Sequence, residues 1–127
     1  MGKNSGEAYV PRQGDVVWLD FHPQSGREQS GRRPGVVLSP RSYNGKVGIA
    51  ILCPISTKVK GYPFEVLVPA GLPIHGVVLS DHVKSLDWRA RQASLLCRLP
   101  ESAMDEVLRK LNTLLRREHH VRDADAG

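Results

Sequence analysis

No run in this chain approaches the ~18 consecutive apolar residues that a membrane span needs. The first residues, Met1 to Glu7, are polar and carry no apolar core of a secretory signal. A cytoplasmic protein is the expectation. Cysteine is scarce. Cys53 and Cys97 each sit in an apolar stretch, and no C-x-x-C or Cys/His ligand spacing accompanies them. That excludes a disulfide framework and a zinc-ligand pattern, and it reads both thiols as small buried hydrophobes. No repeat of roughly 20–50 residues is visible, which excludes a solenoid or propeller. Aromatic residues make up only 6% of the chain, so stacking capacity for nucleobases is limited. Tyr62 is a candidate platform. Phe21 reads as core, and Trp18 and Trp88 read as packing or interface residues.

What is present fits one soluble domain. At 127 residues with 40% apolar and 24% charged content, the chain can bury roughly two-thirds of its unfolded surface. A polar arm, residues 1–8, and a polar tail, 119–127, are expected to be disordered around a single domain at 9–118. Asp15 to Phe21 reads as a strand ended by Pro23, and Gly35 to Ser39 as a second strand broken by Pro40. Asn44-Gly45 reads as a turn tolerant of positive φ. Val47 to Pro54 and Phe64 to Val68 are further strands. Gly76 to Trp88 and Ala90 to Arg98 supply two or three short ones. Met104, Val107, Leu108, Leu111, Leu114 and Leu115 recur at three-and-four spacing, the pattern of an amphipathic helix whose apolar face packs on its own domain. Short strands with Gly/Pro turns followed by one helix give a mostly β fold class: a small barrel with a C-terminal helix.

The net charge of +5 favours a polyanion or an acidic partner. Its placement is more telling. Gly14-Asp15-Val16-Val17-Trp18-Leu19-Asp20-Phe21 delivers the chain into Gly26-Arg27-Glu28-Gln29-Ser30-Gly31-Arg32-Arg33-Pro34. This reads as a glycine-bounded loop with three arginines and one carboxylate. It can hold a phosphodiester and offer a group to move a proton, which points to RNA chemistry without a metal or other cofactor. Arg41, Lys46, Lys58 and Lys60 also fall in predicted loops, where binding residues concentrate.

These stretches carry a family resemblance. The strand and the Glu-Gln-x-Gly-x-Arg-Pro block run on through Gly35-Val36-Val37-Leu38-Ser39-Pro40. Lys60-Gly61-Tyr62-Pro63-Phe64-Glu65-Val66 and Asp81-His82-Val83-Lys84-Ser85-Leu86-Asp87-Trp88-Arg89-Ala90-Arg91 follow in order. Together they span roughly Tyr9 to Leu115, and over that span the chain resembles the MazF/PemK toxins of toxin–antitoxin systems. The resemblance implies an SH3-like barrel, as in plasmid-maintenance toxins, that forms a homodimer. It implies a ribosome-independent, sequence-selective endoribonuclease acting on single-stranded RNA, held in check by a MazE-like antitoxin in a complex that binds promoter DNA. It places the working arginine on Arg33, the loop glutamate on Glu28 and the active hydroxyl on Ser56, where the family usually has threonine; Thr57 follows directly, and either hydroxyl can be the active one.

RNA brings its own nucleophile, the 2′-hydroxyl. The protein has to align it, accept its proton and stabilise the crowded phosphorane. The guanidinium fork of Arg33 suits two phosphate oxygens. Ser56 or Thr57 can donate to a non-bridging oxygen. Glu28 is either the general base or a salt-bridge partner that orients Arg33, because the surrounding arginines make its carboxylate more acidic. Arg27, Arg32, Arg41, Lys46, Lys58, Lys60, Lys84, Arg89 and Arg91 are candidate phosphate contacts, with Tyr62 as a base contact. His22, His75 and His82 follow no recognised pairing and read as surface or structural residues. His119-His120 with Asp123 and Asp125 offers weak adventitious metal binding at most. Two other readings fit a small basic barrel: a same-fold toxin that binds a topoisomerase, and a nucleic-acid-binding module without catalysis.

Overall fold

A computed structural model describes residues 8–21 and 31–118. The expected arm, apart from Ala8, and the expected tail lie outside them. The order is β1 (Asp15–Asp20), β2 (Arg32–Val37), α1 (Arg41–Val47), β3 (Ala50–Ser56), β4 (Glu65–Leu67), β5 (Val77–Leu79), β6 (Lys84–Leu86), β7 (Ser94–Arg98) and α2 (Glu101–Leu115). All pairings are antiparallel, along the path β4-β5-β3-β2-β1-β7, with β6 also on β3. Among the described residues the path does not close on itself. The mostly β class with a C-terminal helix is as expected.

Alternation along the strands builds a core on each side of the sheet. Val16, Val36, Cys53, Ile55, Val66 and Val78 pack with Met104 and Val107 of α2. Val17, Leu19, Phe21, Val37, Leu52 and Trp88 form the second cluster. The apolar face of α2 therefore lies on its own domain through Leu111, while Leu114 and Leu115 stay exposed.

Three expectations are corrected. Asn44-Gly45 is not a turn but part of α1. Pro40, at the helix N-cap, has an extended backbone, and its carbonyl accepts the Asn44 N–H. The Asn44 side chain is buried and donates to the carbonyls of Pro11 and Ser39. The positive φ falls instead on Gly48, at +84°, which ends the helix. Arg32 and Arg33 lie in β2, not in a loop. Pro34 is tolerated there because that part of β2 pairs only with β1; pairing with β3 begins at Gly35. Arg41 and Lys46 ride on α1.

The entry into β1 is fixed by a buried charge. Asp15 is fully buried. It accepts from the Tyr9 hydroxyl at 2.6 Å, the Arg12 N–H at 3.0 Å and Arg98 Nε at 3.0 Å. Burial and the bond to Asp15 push the Tyr9 phenol well above its usual range. Asp15→Ala removes the acceptor of three hydrogen bonds, two of them from side chains, and a loss of about 1–3 kcal/mol is expected in urea unfolding.

Candidate active site

Pairing of β2 with β3 sets Gly35 against Pro54, so the residues just beyond, Arg33 and Ser56, converge at one end of the sheet. They meet in an open cleft of about 500 Å³, lined also by Trp18, Pro34, Ile55, Thr57, Lys58, Pro73, Ile74 and His75. A second hollow of about 370 Å³ shares Ser56 and Lys58 with the first. It continues past Lys60, Tyr62, Glu65, Asp81 and His82. Ser56 and Lys58 therefore stand on the wall common to both hollows.

Adjacent residues on a strand face opposite ways, and that separates the two arginines of β2. Arg32 is committed to its own fold. Its guanidinium pairs with Asp20 at 3.1 Å, donates to the carbonyls of Trp18, Arg91 and Gln92, and lies 6.0 Å from the Trp18 ring centroid. Arg33 makes none of these contacts; it is half-buried and faces the cleft. Ser56 Oγ accepts the Lys58 N–H at 3.0 Å. This local turn bond uses a lone pair and leaves the hydroxyl proton available to a ligand. Thr57 is more exposed and lines the same cleft.

The floor of the second hollow is hydrogen-bonded. The carboxylate of Glu65 accepts the N–H groups of Lys60 and Gly61 at 2.9 and 2.8 Å. Lys110 Nζ on α2 donates to the Glu65 carbonyl at 3.0 Å, so the helix braces the loop that carries both lysines. Tyr62 donates its hydroxyl to Asp81 at 2.6 Å, with His82 Nε2 at 3.3 Å. The bond to Asp81, and burial after it, push the Tyr62 phenol up to about 12.

The remaining candidates fall elsewhere. Arg41, Lys46, Lys84 and Arg89 are exposed but line neither hollow, and Arg89 stacks on Trp88 at 4.6 Å. Arg91 donates to the Asp20 and Phe21 carbonyls at 3.1 and 2.7 Å. Arg27, Glu28 and His22 lie outside the described residues. Of the tryptophans, Trp88 is packed and donates Nε1–H to the Asn44 carbonyl at 3.0 Å. Trp18 is 37% exposed and forms part of the cleft wall. Among the described residues no group of three His, Cys, Asp or Glu could hold a metal, and no helix is long and apolar enough to cross a membrane.

Sequence reasoning missed two residues here. His75 lines the cleft, and Gly76 makes that placement possible. Gly76 has φ +123°, and a Cβ there would collide with the Ser56 carbonyl oxygen and come within 3.1 Å of Thr57 Cα. The only signal in the sequence was a glycine opening an apolar run.

The profile of the PemK-like, MazF-like toxins of type II toxin–antitoxin systems matches residues 12–115. The chain belongs to this family. It is 46% identical to the endoribonuclease toxin MazF of Escherichia coli K12 over 107 residues, 84% of this chain and 96% of that protein. It is 30% identical to the E. coli endoribonuclease PemK over 108 residues, about four-fifths of each chain. Among solved structures it is similar to MazF of Deinococcus radiodurans, with 54% identity, a TM-score of 0.78 and coverage of 85% of this chain and 98% of that one. It is also similar to the MazE–MazF complex of the same organism, at 49% identity, a TM-score of 0.77, and 85% and 97% coverage. The likeness to these structures supports the small-barrel class.

Proposed function

We propose that this protein is an endoribonuclease toxin that cuts single-stranded RNA in the Arg33–Ser56 cleft. The observation that carries the reading is the meeting, beside Lys58 at the end of the β2–β3 pair, of a guanidinium with no hydrogen-bond or ion-pair partner among the described residues and an available hydroxyl. Its membership of the PemK/MazF family and its likeness to proteins named endoribonucleases support the same reading.

In this reading the scissile phosphate lies between Arg33 and Ser56. The 2′-oxygen attacks phosphorus, the P–O5′ bond breaks, and a 2′,3′-cyclic phosphate and a 5′-hydroxyl result. Arg33 stabilises the charge that grows on the non-bridging oxygens. The hydroxyl of Ser56, or of Thr57, donates to one of them. Glu28 accepts the 2′-proton or orients Arg33. Neither metal nor ribosome is required. Lys58 and Lys60 follow the backbone along the two hollows, and the Tyr62 ring offers a surface for a base. The acidic tail of a MazE-like antitoxin is the proposed inhibitor, filling the same hollows. Homodimer formation, promoter binding by the toxin–antitoxin complex and action in the cytoplasm complete the proposal.

Incubating the purified protein with naked RNA tests the reading. New fragments are expected. Intact RNA that is merely retained would favour a binding module, and intact RNA with inhibited gyrase would favour the topoisomerase reading. Substrate affinity is expected to fall with salt on a log–log slope of about −2, for three phosphate contacts to a single strand. Fluorescence anisotropy with a non-cleavable 2′-deoxy analogue measures it, and a flat response would contradict electrostatic binding.

A further inference from the structure

Cleavage of a P–O5′ bond releases an alkoxide, which leaves poorly unless a proton reaches it. Among the described residues lining the Arg33–Ser56 cleft, His75 carries the one imidazole. Arginine and lysine hold their protons far above neutral pH, and a serine or threonine hydroxyl or an indole N–H holds its proton too firmly. Imidazole is the side chain whose charge changes between pH 5 and 8.

The backbone fixes where this imidazole stands. His75 is exposed, on the loop between β4 and β5. The next residue, Gly76, lies against the Ser56 carbonyl too closely for any side chain, and its own carbonyl accepts the Val68 N–H at 2.9 Å. Val77 then pairs with Ser56 in the β3–β5 ladder. His75 is thus held one residue from the backbone that presents the hydroxyl. The charged groups facing the cleft are Arg33 from β2 and Lys58 from the loop after β3; no carboxylate among the described residues lines it. Arg33, Lys58 and His75 line the same cleft, so a phosphate held by the two cations occupies a space the imidazole also borders.

We propose that His75 is the general acid of this site, protonating the 5′-oxygen as it departs. The proposal rests on the nuclease reading above. The 2′-oxygen forms its bond to phosphorus as the P–O5′ bond breaks. The 2′-hydroxyl proton passes to water. The His75 imidazolium gives its N–H proton to O5′, is left neutral, and is reprotonated by water before the next turnover. General acid catalysis of this kind contributes about 10²–10⁴-fold.

The test compares two oligonucleotides that share one mapped cut site. One has the natural 5′-oxygen at the scissile linkage, and the other has a bridging 5′-sulfur, whose thiolate leaves without protonation. His75→Gln is expected to cut the oxygen substrate about 10²-fold or more slower than wild type and the sulfur substrate within a few-fold of it. For wild-type protein, the rate on the oxygen substrate should fall as pH rises through the imidazole range, while the rate on the sulfur substrate does not. Equal losses on both substrates, no loss on either, or the same alkaline fall on both in wild type would overturn the assignment of His75 while leaving the nuclease standing. Wild-type protein that cuts neither substrate would overturn the nuclease reading itself.

Discussion

Arg33→Ala is expected to slow RNA cleavage by about 10²–10³-fold while leaving thermal unfolding within ~0.5 kcal/mol of wild type. The two halves of this expectation come from different faces of β2. Arg33 belongs to neither core cluster and makes none of the contacts that hold its neighbour. Among the described residues its loss breaks no hydrogen bond or ion pair, so the main loss is charge stabilisation at the phosphorane. Arg33→Lys should recover only a small part of the rate, because a point charge cannot engage two phosphate oxygens as the guanidinium fork does. Arg32→Ala should show the reverse pattern. It loses the ion pair to Asp20 and three carbonyl contacts, so stability falls, and the chemical step under single-turnover conditions changes far less. Single-turnover rates and thermal melts on the three variants check this. An Arg33→Ala protein cleaving near the wild-type rate would remove the cleft from consideration.

Gly76→Ala carries the second large effect. The residue sits at φ +123°, where a side chain is strained by about 1–3 kcal/mol. The added methyl would also be driven into the Ser56 carbonyl, and overpacking of that kind costs about 1–3 kcal/mol more. A drop of ~8 °C or more in Tm follows for a domain of this size. Because the displaced backbone is that of Ser56 and Thr57, cleavage should be lost in the molecules that remain folded. Gly71→Ala is the control. Gly71 also has positive φ, +96°, but nothing lies within 4 Å of its Cβ position. It should lose some stability with the rate per folded molecule kept. Equal effects at the two positions would show that strain alone is at work.

Much of this was legible in the sequence because it is local. The β-branched and aromatic run from Val16 to Phe21, and the three-and-four spacing from Met104 to Leu115, each reflect one element's own preferences. The family resemblance put Arg33 and Ser56 forward as candidates, and the β2–β3 pairing brings them to one cleft. What escaped was set by contacts between distant segments. Nothing near Asn44 announces that its side chain will bond Pro11 and Ser39, so Asn44-Gly45 reads as a turn although it is helix. Arg32 and Arg33 look alike on paper; their opposite fates follow from strand alternation, which a loop assignment conceals. Arg91 looked like a phosphate contact but bonds two carbonyls of the β1 end. His75 entered the cleft only because β5 returns against β3 at Ser56. Arg27 and Glu28 lie outside the described residues, so their roles rest on the family resemblance.

The central claim is that this cleft cuts RNA with the substrate's own 2′-oxygen as nucleophile. The most direct measurement is the chemistry of the cut ends, made with purified protein on a defined single-stranded RNA with chelator present. A 2′,3′-cyclic phosphate and a 5′-hydroxyl are predicted, and replacing the ribose 5′ to the cut by deoxyribose should block cleavage at that bond. A 5′-phosphate end, or continued cutting at the deoxy position, would contradict the account.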